Sequence, residues 1–195
     1  MFKIRIGIST LIGVLGLACL LDSASVRADQ RLPLQSVAAA DHQHDFDWEI
    51  GTWATRVKVR RNPLSAGAPD WAEYEGTSVV RPLLNGRANF VELSVSGNRG
   101  KIEGGSLRLF NPKVQQWSLN YANLSNGLLT APVFGGFDGH GRGLFYGQDT
   151  VDGRVILVRF IITQVSEREA HFDQAYSTDG GQTWEDNWNA VDTRD

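Results

Sequence analysis

Arg159 is the residue that asks most plainly for chemistry. It interrupts an apolar run, with Val155-Ile156-Leu157-Val158 before it and Phe160-Ile161-Ile162 after it, so on either strand parity it shares a face with apolar neighbours. A guanidinium buried on such a face must be paired, because an unpaired buried charge costs several kcal/mol. Asp149, on the preceding stretch, and Glu92 are the available carboxylates. Two readings stay open. One is a structural ion pair in a wall, for which Arg159→Ala would cost ~3–5 kcal/mol. The other is an anchor that grips a ligand carboxylate or other anion through the bidentate fork of arginine. Aromatic residues recur at period two: Trp117 shares a face with Tyr121, and Trp184 with Trp188. Such residues form the packed body of a fold or the walls of a cavity, and Gln174, Asn120 and Asn187 would orient a ligand if they point inward. The candidate ligand-binding set is therefore Arg159, Asp149, Glu92, Trp117, Tyr121, Gln174 and Trp188.

Other chemistry finds less support. The histidines are His42, His44, His140 and His171. His42-x-His44-Asp45 offers a metal two imidazoles in a stretch without periodicity, a weak site. There is no His-Glu-x-x-His, no Cys-x-x-Cys-His and no Gly-x-Ser-x-Gly elbow, so no metal and no cofactor is called for. The glycine-rich stretch 135–143 lacks the following helix that a phosphate cradle needs. It reads as a flexible hairpin, or as a mouth loop carrying His140 and Arg142.

The elements that must position these residues come from a chain of 195 residues, enough for one domain and a processed leader. Residues 1–28 have the build of a secretory signal: Lys3 and Arg5, an apolar run from Ile8 to Leu21, and a polar segment ending Val26-Arg27-Ala28. Cys19 allows a lipoprotein reading as the lesser alternative. Removing 1–28 takes away Lys3, Arg5, Arg27 and Asp22, leaving Lys+Arg 16 against Asp+Glu 21 and neither Cys nor Met. A sulfur-free, exported chain fits an oxidising compartment, periplasmic or extracellular. Its acidic balance argues against nucleic acid, and processing would leave no integral membrane segment. Residues 29–45 read as a flexible tether and 46–195 as the folded domain.

In that domain the period is two throughout. Thr52–Arg61 sets Trp53, Thr55, Val57 and Val59 against Ala54, Arg56, Lys58 and Arg60. Further strands are expected over 71–82, 88–96, 101–110, 115–123, 129–137, 143–151, 154–164, 168–178 and 182–192. Asp138-Gly139, Asp152-Gly153 and Asp179-Gly180 supply hairpin turns that accept positive φ. Ten short strands joined by tight turns predict an all-β fold, a single antiparallel up-and-down barrel closed to remove its edges.

The opening Phe46-Asp47-Trp48-Glu49-Ile50-Gly51-Thr52-Trp53 carries a Gly-x-Trp that resembles the first strand of lipocalins and other calycin barrels, where an indole plugs the closed end. Over about residues 44–194 the chain resembles a bacterial family of exported lipocalin-like barrels, through HDFDWEIGTW, EYEGTSVVRPLLNG, SLRLFNPKVQQWSLNY, FYGQDTVDGRVILVRF and YSTDGGQTWEDNW. The resemblance implies a fold and a cavity but no catalytic residues. Ser177-Thr178-Asp179-Gly180-Gly181-Gln182-Thr183-Trp184 is similar to the Asp-box hairpin of sialidase-type propellers, which implies a turn clip rather than an activity. The expectation is a barrel that binds a small, mostly hydrophobic molecule. Two alternatives remain: a cofactor-free lyase, cyclase or isomerase using Glu92 or Asp149 with Arg159, and a filled barrel with a structural or interaction role in the cell envelope.

Overall fold

The computed structural model describes residues 41–195; the signal reading of 1–28, Cys19 and residues 29–40 of the expected tether lie outside the described residues. The strands are β1 (Gly51–Arg60), β2 (Trp71–Leu83), β3 (Ala88–Gly97), β4 (Gly100–Asn111), β5 (Gln116–Asn123), β6 (Leu128–Leu129), β7 (Val133–Phe137), β8 (Arg142–Val151), β9 (Arg154–Ser166), β10 (Glu169–Ser177) and β11 (Glu185–Thr193). They hydrogen bond in the order β4-β3-β2-β1-β11-β10-β9-β8-β7-β5, and a β4–β5 pairing closes the ring. The two-residue β6 only flanks β5, through Ala122 and Asn123. The wall is thus ten antiparallel staves, the all-β up-and-down barrel that the strand pattern predicts.

One expected strand breaks in two. Residues 129–137 divide at Thr130-Ala131-Pro132 into β6 and β7, because a proline nitrogen cannot donate to the ladder. The Asp152-Gly153 connection has φ of 49° and 75° and joins the Val151↔Arg154 pair. It is a two-residue turn with both central residues at positive φ, the geometry that matches strand twist. Gly153→Val is expected to lower stability by ~1–3 kcal/mol, since a β-branched residue is strained there; chemical denaturation of the variant measures it.

One end of the barrel is closed by the chain before β1. Two 3-10 turns, His42–His44 and Asp47–Glu49, fold across it and bury Phe46 against Trp117 and Phe137, with ring centroids 5.0 Å away in each case. Residues 41–45, expected to end the tether, are therefore part of the barrel: Trp117 Nε1 donates to the His42 carbonyl at 2.8 Å. Trp53, 1% exposed, donates its indole N–H to the Glu49 carbonyl at 2.7 Å. The Arg194 guanidinium lies 4.2 Å from the Trp53 ring centroid and donates to the carbonyls of Trp48, Ile50 and Glu167. Gly51, at φ 128°, lets the chain turn from this plug into β1. The loop 138–141 is at this closed end, between β7 and β8, and so is not a mouth loop. Asp138 Oδ1 accepts the backbone N–H groups of His140 and Arg142 there.

Candidate functional site

Alternation along each strand sends one row of side chains into the barrel. Toward the closed end these pack solid around Phe46, Phe110, Trp117, Phe145 and Ile162. Beyond that plug they leave a cavity of about 340 Å³. Its walls are largely apolar, with Val57, Leu93, Leu119, Val158, Phe160 and Phe172 among them. It reaches the long β5–β7 connection, where Ala131 borders it and is itself exposed. Tyr121 fits its ring into the wall because Gly104 faces it: a Cβ there would meet the phenol oxygen at 2.2 Å.

The floor is polar. Glu49 reaches in from the closing turn, and both its carboxylate oxygens accept from Arg108 of β4, Oε2 from Nη1 and Oε1 from Nη2 at 3.0 Å. Both side chains are buried, and the guanidinium carbon stands 4.3 Å from the Phe46 ring centroid. Asp192 of β11 pairs across from Thr55 of β1, is 3% exposed, and among the described residues has no hydrogen-bond partner at Oδ1. Thr55 Oγ1 donates to Ser78 Oγ at 2.8 Å. Burial pushes the Asp192 carboxyl up to about 7; the charge of Glu49 adds to this, and the Thr55 and Ser78 hydroxyls with Arg108 only partly offset it.

A second polar level stands on β10 and β11. Gln174 pairs with Trp188 while Ala175 pairs with Asp186, so Asn187 is the extra residue of a bulge. The bulge aims Asn187 at Gln174, whose Nε2 donates to its Oδ1 at 3.0 Å. Burial raises the Tyr176 phenol above its ordinary value, with the charge of Asp149 adding to the effect. Burial alone raises Tyr121.

Of the seven candidate residues, Tyr121, Asp149, Gln174 and Trp188 line this cavity. Three do not. Trp117 points inward but is packed into the closed end against Phe46 and Phe110, 1% exposed. Glu92 is between the inward Val91 and Leu93, so it points out and pairs with Arg81 at 2.8 Å, both side chains more than half exposed. Arg159 also faces out, because Ile156, Val158, Phe160 and Ile162 take the inner face of β9. Among the described residues it meets no carboxylate; its guanidinium carbon is 4.6 Å from the centroid of Trp184. The expected buried ion pair with Asp149 or Glu92 is therefore absent, and Arg159→Ala should cost only ~0.5–2 kcal/mol, the worth of a cation–π contact. A urea titration of that variant checks this; a loss above 3 kcal/mol would restore a buried-pair role.

Trp184 belongs to the Asp-box hairpin, which closes as a clip. Asp179 accepts from the Thr183 N–H at 2.9 and 3.0 Å and from the Thr183 and Ser177 hydroxyls at 2.6 and 2.7 Å. These donors hold its carboxyl far below the usual carboxylate range, the Thr183 hydroxyl most of all. Three of the four histidines are spent on neighbouring carboxylates: His42 on Asp45, His44 on Asp47 and His171 on Glu169. Residues the sequence reading passed over, Glu49, Arg108, Asp192, Thr55 and Ser78, make the floor.

No family model matches the chain, and no curated protein is significantly similar to it. Among the solved structures that resemble it at low level are two bound to DFHBI. EF1p2_mFAP2b bound to DFHBI has a TM-score of 0.43 and 12% identity, covering 79% of this chain and 99% of its own. A redesigned β-barrel, mFAP1, bound to DFHBI has 0.42 and 11%, covering 80% and 100%. Likeness at this level carries no argument about function, and the barrel architecture stands on the strand pairing itself. Among the described residues no helix is long and apolar enough to cross a membrane.

Proposed function

We propose that this protein holds a small, mostly hydrophobic molecule inside its barrel, and that it does so outside the cytoplasm after losing residues 1–28. The observation that carries the binding reading is the cavity of about 340 Å³, apolar along its walls and ending on buried polar groups. Binding sites have this build: apolar surface supplies affinity, and a few fixed polar atoms supply orientation. A barrel filled by its own side chains leaves no such space. The catalytic alternative loses two of its three named groups, since Glu92 and Arg159 stand on the outer wall. The compartment rests on the leader's charge and apolar pattern, and the N-terminal sequence of protein recovered from its host tests it.

The binding reading is tested with N-phenyl-1-naphthylamine, an uncharged dye that fluoresces in apolar surroundings. The wild-type protein is expected to bind it saturably at one site. Val133→Trp places an indole into the cavity wall and is expected to weaken binding at least tenfold, a loss of about 1.4 kcal/mol. A wild-type protein that leaves the dye dark, or a variant that binds it equally well, would overturn the reading.

A further inference from the structure

The ionisable lining of the cavity is acidic with one exception. Among the described residues Glu49 and Asp192 stand at the floor and Asp149 higher on the wall, Arg108 is the sole cation, and no lysine or histidine borders the space. Arg108 is not free for a ligand, because both terminal nitrogens are held by Glu49. An anionic head would have to displace Glu49 and would meet two further carboxylates. Asp192 is the reverse case. It is 3% exposed and among the described residues its Oδ1 accepts from nothing; the Thr55 and Ser78 hydroxyls beside it, joined by one hydrogen bond from Thr55 to Ser78, only partly offset the burial of its carboxyl. A buried acceptor without a donor is costly, and a ligand that brings the donor removes the cost. The aromatic lining points the same way: Phe160, Phe172, Trp188, Tyr121 and Tyr176 border the cavity, and ring faces attract cations.

We propose that the ligand is a hydrophobic amine, its single ammonium head hydrogen bonded to Asp192 at the floor and its apolar body along the walls. This rests on the small-molecule reading above and narrows it to one charge class. The groups acting on Asp192 are Glu49, Arg108, Thr55 and Ser78. With Asp192 protonated below about pH 7, an ammonium that needs the carboxylate displaces a proton. Amine affinity therefore climbs about tenfold per pH unit below 7 and levels off above it.

The test uses three ten-carbon probes, decylamine, decanol and decanoate, displacing the bound dye from the processed protein at pH 8. Decylamine is expected to displace it at least tenfold more effectively than decanol, with decanoate the weakest. Asp192→Asn should erase the amine's advantage and leave decanol unchanged, whereas Asp149→Asn should keep it. Calorimetry of the wild type at pH 6, in two buffers of different ionisation enthalpy, should show about one proton released with decylamine and none with decanol. That count needs no variant to fold. Equal displacement by all three heads, preference for decanoate, absence of proton release, or an advantage lost only in Asp149→Asn would each overturn the proposal while dye binding stands. A protein that takes up neither dye nor any of the probes would defeat the small-molecule reading itself.

Discussion

Arg108→Ala is expected to cost ~3–5 kcal/mol of folding stability, the penalty for stranding one partner of a buried ion pair. Arg108 is 3% and Glu49 1% exposed, and the two meet through both ends of the guanidinium fork. Removing the arginine leaves the Glu49 carboxylate inside the barrel with no counter-charge, and takes the cation from the face of Phe46. The damage falls on the closing turn, because Glu49 belongs to the segment that plugs the end and whose carbonyl receives the Trp53 indole. The loss should grow with pH, since the guanidinium also tempers Asp192. The double replacement Glu49→Leu with Arg108→Met separates pair from penalty. It is expected to recover most of the loss, because buried pairs replaced by apolar groups of similar volume are often near neutral. Urea unfolding of wild type, both single variants and the double variant closes the cycle. A single-variant loss below 1 kcal/mol would mean that water reaches the floor freely.

The contrast between Arg108 and Arg159 shows which parts of the architecture are legible along the chain. Strand positions follow from period-two alternation and Asp-Gly turns, both local properties, and nine of the ten staves appear where that pattern puts them, the tenth being shortened to Val133–Phe137 by Pro132. Which face is inner is not local. Arg159 looks buried because apolar residues flank it on both parities, but β9 is apolar on both sides for two different reasons. Ile156, Val158, Phe160 and Ile162 fill the barrel, while on the outer face Arg159 lies against Trp184 from the Asp-box hairpin and Val155 is exposed. Arg108 looks exposed because Leu107 and Leu109 alternate with it. In the barrel those leucines take the outer face, with Leu109 38% exposed, while Ser106, Arg108 and Phe110 point in. The available signal was Phe110, an aromatic on the parity of Arg108, together with Glu49 beside the Gly-x-Trp that marks the closed end. Asp192 was hidden in the same way, since a carboxylate near the end of an acidic chain reads as surface until β11 pairs Asp192 with Thr55. Trp117 was placed on the correct face but at the wrong depth, because Phe46 packs on its ring from the closing turn and the His42 carbonyl, in the stretch read as tether, takes its indole N–H.

Asp192→Asn is expected to stabilise the protein at and above neutral pH, a gain unusual for removing a charged group. The sign follows from linkage. In the folded state the carboxyl titrates at about 7, against 3.8 when solvated, so the folded protein binds the proton more tightly than the unfolded chain does. The stability this group contributes is fully present below about pH 4 and is lost as pH rises through 7. Above 7 folding must hold a carboxylate in a site that burial and Glu49 make unfavourable, at a cost of up to about 4 kcal/mol for a displacement of this size. Asparagine has nearly the same shape and keeps an acceptor beside Thr55 and Ser78 without the charge. Variant and wild type should thus be close in stability at pH 4, separate through pH 5 to 7, and keep a constant gap above that. Thermal or urea unfolding at a series of pH values measures the gap directly. A variant that is less stable at pH 8 would show that Asp192 is ionised and paired in the folded barrel, and that its charge supports the floor instead of straining it. If the gap appears and amine preference vanishes in the same variant, the stability given up at Asp192 is spent on recognising a cation.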